Sequence, residues 1–304
     1  MQKRQKRLLM RTDTLQLYSL LIPGVIFIFI FAYMPMYGAQ IAFRDFSFRK
    51  GYFDSPWVGL KHFARYVSSA NFWLLMKNTL GLSVTNLVFG FPVPVVLAFL
   101  LNELRSPRFK KTVQMITYIP HFISTVAICS MITLFTDRSS GVINRLIMLF
   151  GGEARAFLAE PACFKPIFVI SSVWQEMGWG TIIYLAALSG VDPQMLEAAT
   201  IDGANRLQKI VFINLPSIWP TICVMLILSI GSLLNVGYEK VLLLQNNLNM
   251  ESSDVISTYV YRLGIKDAQY SYTTAIGLFN SVINIILLVS SNWIIRRLSG
   301  SSLF

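Results

Sequence analysis

A lone carboxylate, Glu176, sits about ten residues inside a long stretch with no other charge. An ionised group in such a setting is costly unless it faces water or a partner, so it marks a site or a brace. It can accept hydrogen bonds from the hydroxyls of a ligand, or it can hold two helices together; both roles stay open. Trp174, Trp179 and Tyr184 share its stretch and offer flat faces on which a ring can stack, although aromatics there also serve as interfacial anchors. Further along, Thr273, Gly277, Asn280 and Asn284 recur at spacings of four, three and four, which on a helix makes one polar stripe with a small residue for close approach. That stripe either lines a passage or packs on a neighbour. Glu176, Trp174, Trp179, Tyr184, Asn280 and Asn284 are therefore the candidate pathway residues.

Other chemistries find little footing. His62 and His121 are far apart and share no ligand spacing, Cys129 and Cys223 fall inside apolar stretches, and Cys163 is expected alone in a loop. No disulfide framework or metal site follows. The chain lacks the Gly-x-x-x-x-Gly-Lys-Ser/Thr loop that cradles nucleotide phosphates, and no paired His, Cys or acidic cluster suits catalysis. The expectation is a chain with no catalytic residues and no cofactor of its own.

The elements that must position these residues are membrane helices. Of 304 residues, 54% are hydrophobic and 13% charged, too apolar for an ordinary soluble domain. Six charge-poor stretches reach the length a helix needs to cross about 30 Å of hydrocarbon: 17–37, 80–102, 113–135, 166–190, 213–236 and 272–295. They are continuously apolar rather than alternating, so the fold class is all-α, a six-helix polytopic protein and not a barrel. The first stretch is too long for a cleaved signal peptide and leads into a loop, so it is read as a retained helix. Prolines 23, 35, 92, 94, 120, 216 and 220 interrupt these stretches, as is usual where neighbouring helices or cavity water satisfy freed carbonyls.

A net charge of +11 raises the question of nucleic acid, but the charge distribution points to a membrane instead. With an inner N-terminus, segments 1–16, 103–112, 191–212 and 296–304 hold 13 of the 26 Lys and Arg in 57 residues, and the outer loops hold the rest in 107. Arg105, Arg108, Lys110, Lys111, Arg296 and Arg297 lie against helix ends, where the positive-inside bias acts most strongly. Both termini are expected in the cytoplasm, as tails 1–16 and 296–304 flanking a membrane domain 17–295. The first outer loop, around Trp57–Tyr66, interleaves aromatics and bases like a helix lying in the headgroup layer.

Segment 191–216 carries its own helix signals. Asp192 can cap free amides, Pro193 suits the first helical position, and Gly203 can supply a left-handed stop. A second helix should start near Asn205 and run into the membrane near Leu215 and Pro216. The product is an elbow in which Ala198 and Ala199 permit close approach and Glu197 offers a charge. By residues alone it is a docking site or an ordinary connecting loop.

Glu197-Ala-Ala-Thr-Ile-Asp-Gly203, followed by Ile213-Asn-Leu-Pro216, resembles the EAA loop of ABC importer permeases, with complete spacing. Pro120-His-Phe-Ile-Ser124, the run from Trp174 to Leu188 and the run from Gln269 to Phe279 are similar to the carbohydrate group, in the branch handling oligosaccharides from complex polysaccharides. The resemblance covers nearly the whole chain, from Leu20 to Arg297. It implies a type I importer permease fold in the bacterial cell membrane and half of a sugar pathway. It further implies a second permease in a heterodimer, an extracellular sugar-binding protein, and a cytoplasmic ABC ATPase dimer that holds ATP and Mg. In that family the EAA loop is the coupling helix, which carries Glu197, Ala198, Ala199, Asp202, Gly203, Leu215 and Pro216 over to ATPase coupling. Two alternatives stand beside this reading: an ion-coupled secondary transporter, which also suits kinked helices and a buried carboxylate, and an integral membrane enzyme, which the missing catalytic cluster disfavours.

Overall fold

A computed structural model describes residues 16–300 and 303. The expected tail 1–16 lies outside the described residues except for Gln16, as do residues 301, 302 and 304 of the C-terminal tail. Among the described residues there are helices and two isolated bridges, Arg44 with Trp57 and Ser47 with Gly51, in keeping with the all-α expectation. The chain divides into two compact units.

Of the described residues, the first unit takes 16–68 and 263–279. Helix α1 (Gln16–Phe43) is long and apolar enough to span a membrane. It widens to a π turn at Phe29–Tyr33 just before Pro35, which has no N–H to give to the preceding turn. Helix α2 (Lys61–Val67) follows in the segment read as interfacial. Asp45 pairs with Lys61 at 2.6 Å and with the buried His62 at 3.0 Å. The Lys61 hydrogen bond holds the Asp45 carboxyl below its ordinary range. His62 also reaches the Arg44 carbonyl at 3.2 Å, so it latches a loop and has no metal geometry.

Of the described residues, the second unit takes 69–262, 280–300 and 303. In chain order it holds α3 (Phe72–Asn102), α4 (Pro107–Phe122), α5 (Thr125–Thr136), α6 (Val142–Leu149), α7 (Pro161–Ser189), α8 (Pro193–Ile201), α9 (Arg206–Gly231), α10 (Tyr238–Leu244) and α11 (Ile256–Tyr261). It also takes the later part of α12 (Tyr270–Ser299). One apolar cluster joins Leu82, Cys129, Phe164, Phe168 and Val241. Another joins Val95, Phe99, Tyr184, Leu188, Ile218 and Ile222. Each draws on three or more helices, and dispersion at such contacts is what holds helices together where lipid is as apolar as leucine.

Among the described residues, four helices, α1, α3, α9 and α12, are long and apolar enough to cross a membrane, and a fifth span arises if α4 and α5 count as one. The stretch 113–135, expected as one span, is broken: α4 and α5 meet at 97°. Pro120 tightens the end of α4 into a 3-10 turn, Ile123 is extended, and the Ser124 hydroxyl accepts from the Ala127 N–H to start α5. Helix α7, 29 residues long, is not among the apolar four because serine, glutamine, glutamate and glycine interrupt its middle. It begins at Pro161, so Cys163 lies in its first turn and not in a loop. Helix α9 stops at Gly231, short of the expected end at 236.

Two glycines let α7 come close to its neighbours. A Cβ on Gly178 would overlap the Thr117 carbonyl of α4, and one on Gly180 would sit 3.0 Å from Pro94 of α3. Helix α7 is thereby pinned between the elements that face Glu176.

Candidate functional site

A cavity of about 380 Å³ opens among α3, α7 and the end of α9. Glu176, Trp179 and Tyr184 line it together. The Glu176 carboxylate lies 2.9 Å from His121 Nδ1, and the His121 ring stacks on Trp179 with centroids 4.5 Å apart and planes 2° from parallel. The carboxylate thus has the partner its setting demands, and the partner is fixed in turn by an aromatic face that borders the cavity. Half of the Glu176 side chain is exposed, which leaves oxygen lone pairs free for a ligand.

The other candidate pathway residues stand elsewhere. Trp174 is partly exposed and does not border this cavity. Asn284 accepts from the Leu234 N–H at 3.2 Å and donates to Asn235 Oδ1 at 3.2 Å, so it ties the turn after α9, whose Asn235 does border the cavity. Asn280 has a buried Oδ1 with no hydrogen-bond partner among the described residues. In the first unit, Thr273 bonds the Gln269 and Tyr270 carbonyls.

Reasoning from sequence missed several polar residues here. His121 stands in the Pro120–Ser124 run, but nothing in the sequence links it to Glu176; among the described residues no three His, Cys, Asp or Glu side chains gather to hold an ion. Ser83 and Asn86 of α3 and Ser172 of α7 also line the cavity, and short polar residues in apolar helices carry no periodic signal of their own. Lys240 of α10 is 6% exposed; its Nζ donates to Ser172 Oγ at 3.0 Å and lies over the Phe168 ring. Burial pulls the Lys240 ammonium down to about 8, against the favourable pull of Cys129 and Glu176.

The second candidate site is the elbow. Asp192 accepts from the Gln194 N–H at 2.9 Å and caps α8, with Pro193 at its first position. The helix ends in a Schellman pair, Gly203 N–H to Thr200 carbonyl and Ala204 N–H to Ala199 carbonyl, with Gly203 at φ +79°. Asn205 and Gln208 then form a reciprocal capping box that starts α9. Lys209 Nζ donates to Thr200 Oγ1 at 2.7 Å and braces the two helices. A hollow of about 290 Å³ lies in the crook, lined by Ala199, Asp202, Gly203 and Phe212 among others.

No residue of α8 is buried; Glu197 and Ala198 are exposed, and Ile201 is 86% exposed. Leu215 packs on the cluster that includes Ile218 and Tyr184, while Pro216 sits at the start of the straight part of α9 after a π turn at Ile210–Asn214. The elbow is therefore rooted in the helix core through Leu215 and presents its tip to the surroundings.

Residues 84–300 match the family model described as binding-protein-dependent transport system inner membrane component. The chain belongs to this family. It is a multi-pass, non-catalytic permease component of an ABC transporter, and the ion-coupled carrier weighed above is not favoured. Two relatives come from Bacillus subtilis (strain 168). Protein LplB is 46% identical over 95% of this permease and 91% of its own length. The polygalacturonan/rhamnogalacturonan transport system permease protein YteP is 44% identical over 100% of this permease and 94% of its own length. A chain in the crystal structure of a bacterial alginate ABC transporter, in complex with alginate pentasaccharide-bound periplasmic protein, superposes with a TM-score of 0.87 at 39% identity. That match covers 96% of this permease and 98% of that chain. The permease accordingly has the type I ABC permease fold and stands among the permeases of sugar importers.

Proposed function

We infer that this permease forms half of a passage for oligosaccharides, driven by ATP and Mg bound in a partner ABC ATPase dimer, with a second permease completing the passage and an extracellular binding protein delivering the sugar. Six membrane spans are proposed, with α4 and α5 together as the bent third, α7 as the fourth, and both termini in the cytoplasm. The domain limits follow: tails 1–16 and 296–304, a membrane domain 17–295, and a coupling loop 191–216.

The observation that carries this reading is the elbow. Helix α8 has no buried residue, is capped at both ends and is followed by a left-handed glycine, and apolar Ile201 at its end and Leu207 and Phe212 at the start of α9 are largely exposed. Such a surface on a rigid arm suits docking into a moving partner. Glu197, Ala198, Ala199, Asp202 and Gly203 form the arm, and Leu215 and Pro216 transmit its movement to α9. ATP can favour one arrangement of the helices only through differential affinity for the two states, and the arm is where that difference enters this chain. Glu176, Trp179 and Tyr184 face the sugar in the cavity, with Trp174, Asn280 and Asn284 supporting the surrounding helices. The printed names of the relatives, which concern polygalacturonan, rhamnogalacturonan and alginate, support an oligosaccharide derived from polysaccharide as the cargo.

The test is an Ile201→Cys variant in the assembled transporter, made in a Cys163→Ser background because Cys163 is partly exposed on the proposed outer side. It is expected to cross-link to the ATPase subunit and to resist membrane-impermeant thiol reagents applied to intact cells. Labelling from outside the cell would overturn both the topology and the docking role.

A further inference from the structure

The cavity wall around Ser172 holds more hydrogen-bonding capacity than the protein uses. Ser83 is 8% exposed, lines the cavity, and its Oγ has no hydrogen-bond partner among the described residues; Asn86, one turn further on α3, has a buried Oδ1 in the same condition. Buried polar atoms are nearly always satisfied, so two adjacent exceptions facing one hollow point to a ligand that satisfies them. Ser172, which lines the same hollow, accepts from the buried Lys240 ammonium at 3.0 Å. A hydroxyl that accepts from a cation is polarised and becomes the better donor, so the charge of Lys240 reaches the cavity through the Ser172 O–H.

We propose that Lys240 and Ser172, with Ser83 of α3 in the same cavity, form a subsite for the carboxylate of an acidic sugar residue, making this permease selective for uronate-containing oligosaccharides over neutral ones. The proposal rests on the oligosaccharide reading above and narrows it. Glu176 lies one helical turn from Ser172, roughly 5–6 Å along α7, and one of its carboxylate oxygens lies 2.9 Å from His121 Nδ1. The site therefore has two ends. A carboxylate fits the Ser172 end, while ring hydroxyls donate to Glu176 at the other. Lys240 is already drawn toward Glu176, but its hydrogen bond goes to the neutral Ser172 hydroxyl; an arriving carboxylate gains a charge-assisted bond through that hydroxyl, whereas a neutral sugar gains only one ordinary hydrogen bond there.

The experiment uses the whole transporter with its binding protein in proteoliposomes, supplied in parallel with trigalacturonate and with its carboxyl-reduced neutral counterpart. The wild-type protein is expected to take up the uronate in preference. Lys240→Met should lower the uronate-to-neutral uptake ratio at least tenfold, Lys240→Arg should keep most of it, and the exposed-site control Lys50→Met should leave it unchanged. If Lys240→Met does not assemble, Ser172→Ala, which keeps the lysine, should still lower the ratio several-fold. An unchanged ratio in Lys240→Met or Ser172→Ala, or an equal loss for both sugars, refutes the subsite. Wild-type uptake of the neutral sugar alone refutes it while sparing the oligosaccharide reading, and uptake of neither sugar counts against both.

Discussion

Replacing Gly203 tests the elbow through a single backbone torsion. The residue sits at φ +79°, and a Cβ added there would meet nothing within 4 Å, so any penalty is conformational and not steric crowding by neighbours. A left-handed conformation costs an ordinary L-residue about 1–2 kcal/mol, with asparagine less affected and β-branched residues at the upper end or beyond. The supports that would resist straightening are of the same size. The Asp192 cap contributes about 1 kcal/mol, and the exposed Lys209–Thr200 bond contributes about 1 kcal/mol or less. A penalty of 1–2 kcal/mol shifts the population of the turned elbow by roughly 5–30-fold. Transported sugar per ATP hydrolysed, measured in proteoliposomes, should therefore fall in the order Gly203→Asn, Gly203→Ala, Gly203→Val, by up to about 30-fold. Equal coupling in all four proteins would refute the reasoning. So would a loss that ignores left-handed tolerance, with asparagine as damaging as valine.

The other predictions follow the same physics. Gly178→Ala would force α7 off the Thr117 carbonyl of α4 and should destabilise the assembled permease by about 1–3 kcal/mol, read as a lower Tm in detergent. An unchanged Tm would mean the two helices are not in close contact. Glu176→Gln preserves an acceptor for His121 but removes the charge; it should change the KM for sugar uptake while the complex still assembles, and loss of the complex would assign Glu176 a bracing role instead. Burial lowers Lys240 to about 8 against an unfolded value of 10.5, so the unfolded chain binds more protons between those limits. Lys240 therefore detracts from stability below about pH 8, and that loss is relieved as pH rises from there to 10.5. The difference in Tm between Lys240→Met and wild type should shrink across that window, and a constant difference would contradict the buried ammonium.

Much of this was legible in the residues because it rests on local rules. The elbow's limits at Asp192, Pro193, Gly203 and Asn205 are set by capping chemistry, and each is found in that role. The apolar stretches became helices because length and composition alone decide that in hydrocarbon. The break at Ile123–Ser124 was less legible, since Pro120 is one of seven prolines in such stretches and only tertiary packing selects the one that turns the chain by 97°. The long reach from Glu176 to His121, 55 residues apart, and from Ser172 to Lys240, 68 apart, depends on helix pairing that no local pattern encodes. Lys240 in particular reads as an ordinary loop charge until α10 folds it against Phe168.

The claim on which everything turns is that nucleotide hydrolysis by a partner, transmitted through the elbow, moves sugar through this permease. Its most direct test is oligosaccharide uptake into proteoliposomes holding the complete transporter, with ATP supplied on the face that carries the elbow and a protonophore added. Uptake that requires ATP there and persists with the protonophore is the predicted result. Uptake without ATP that collapses with the ion gradient would contradict the account.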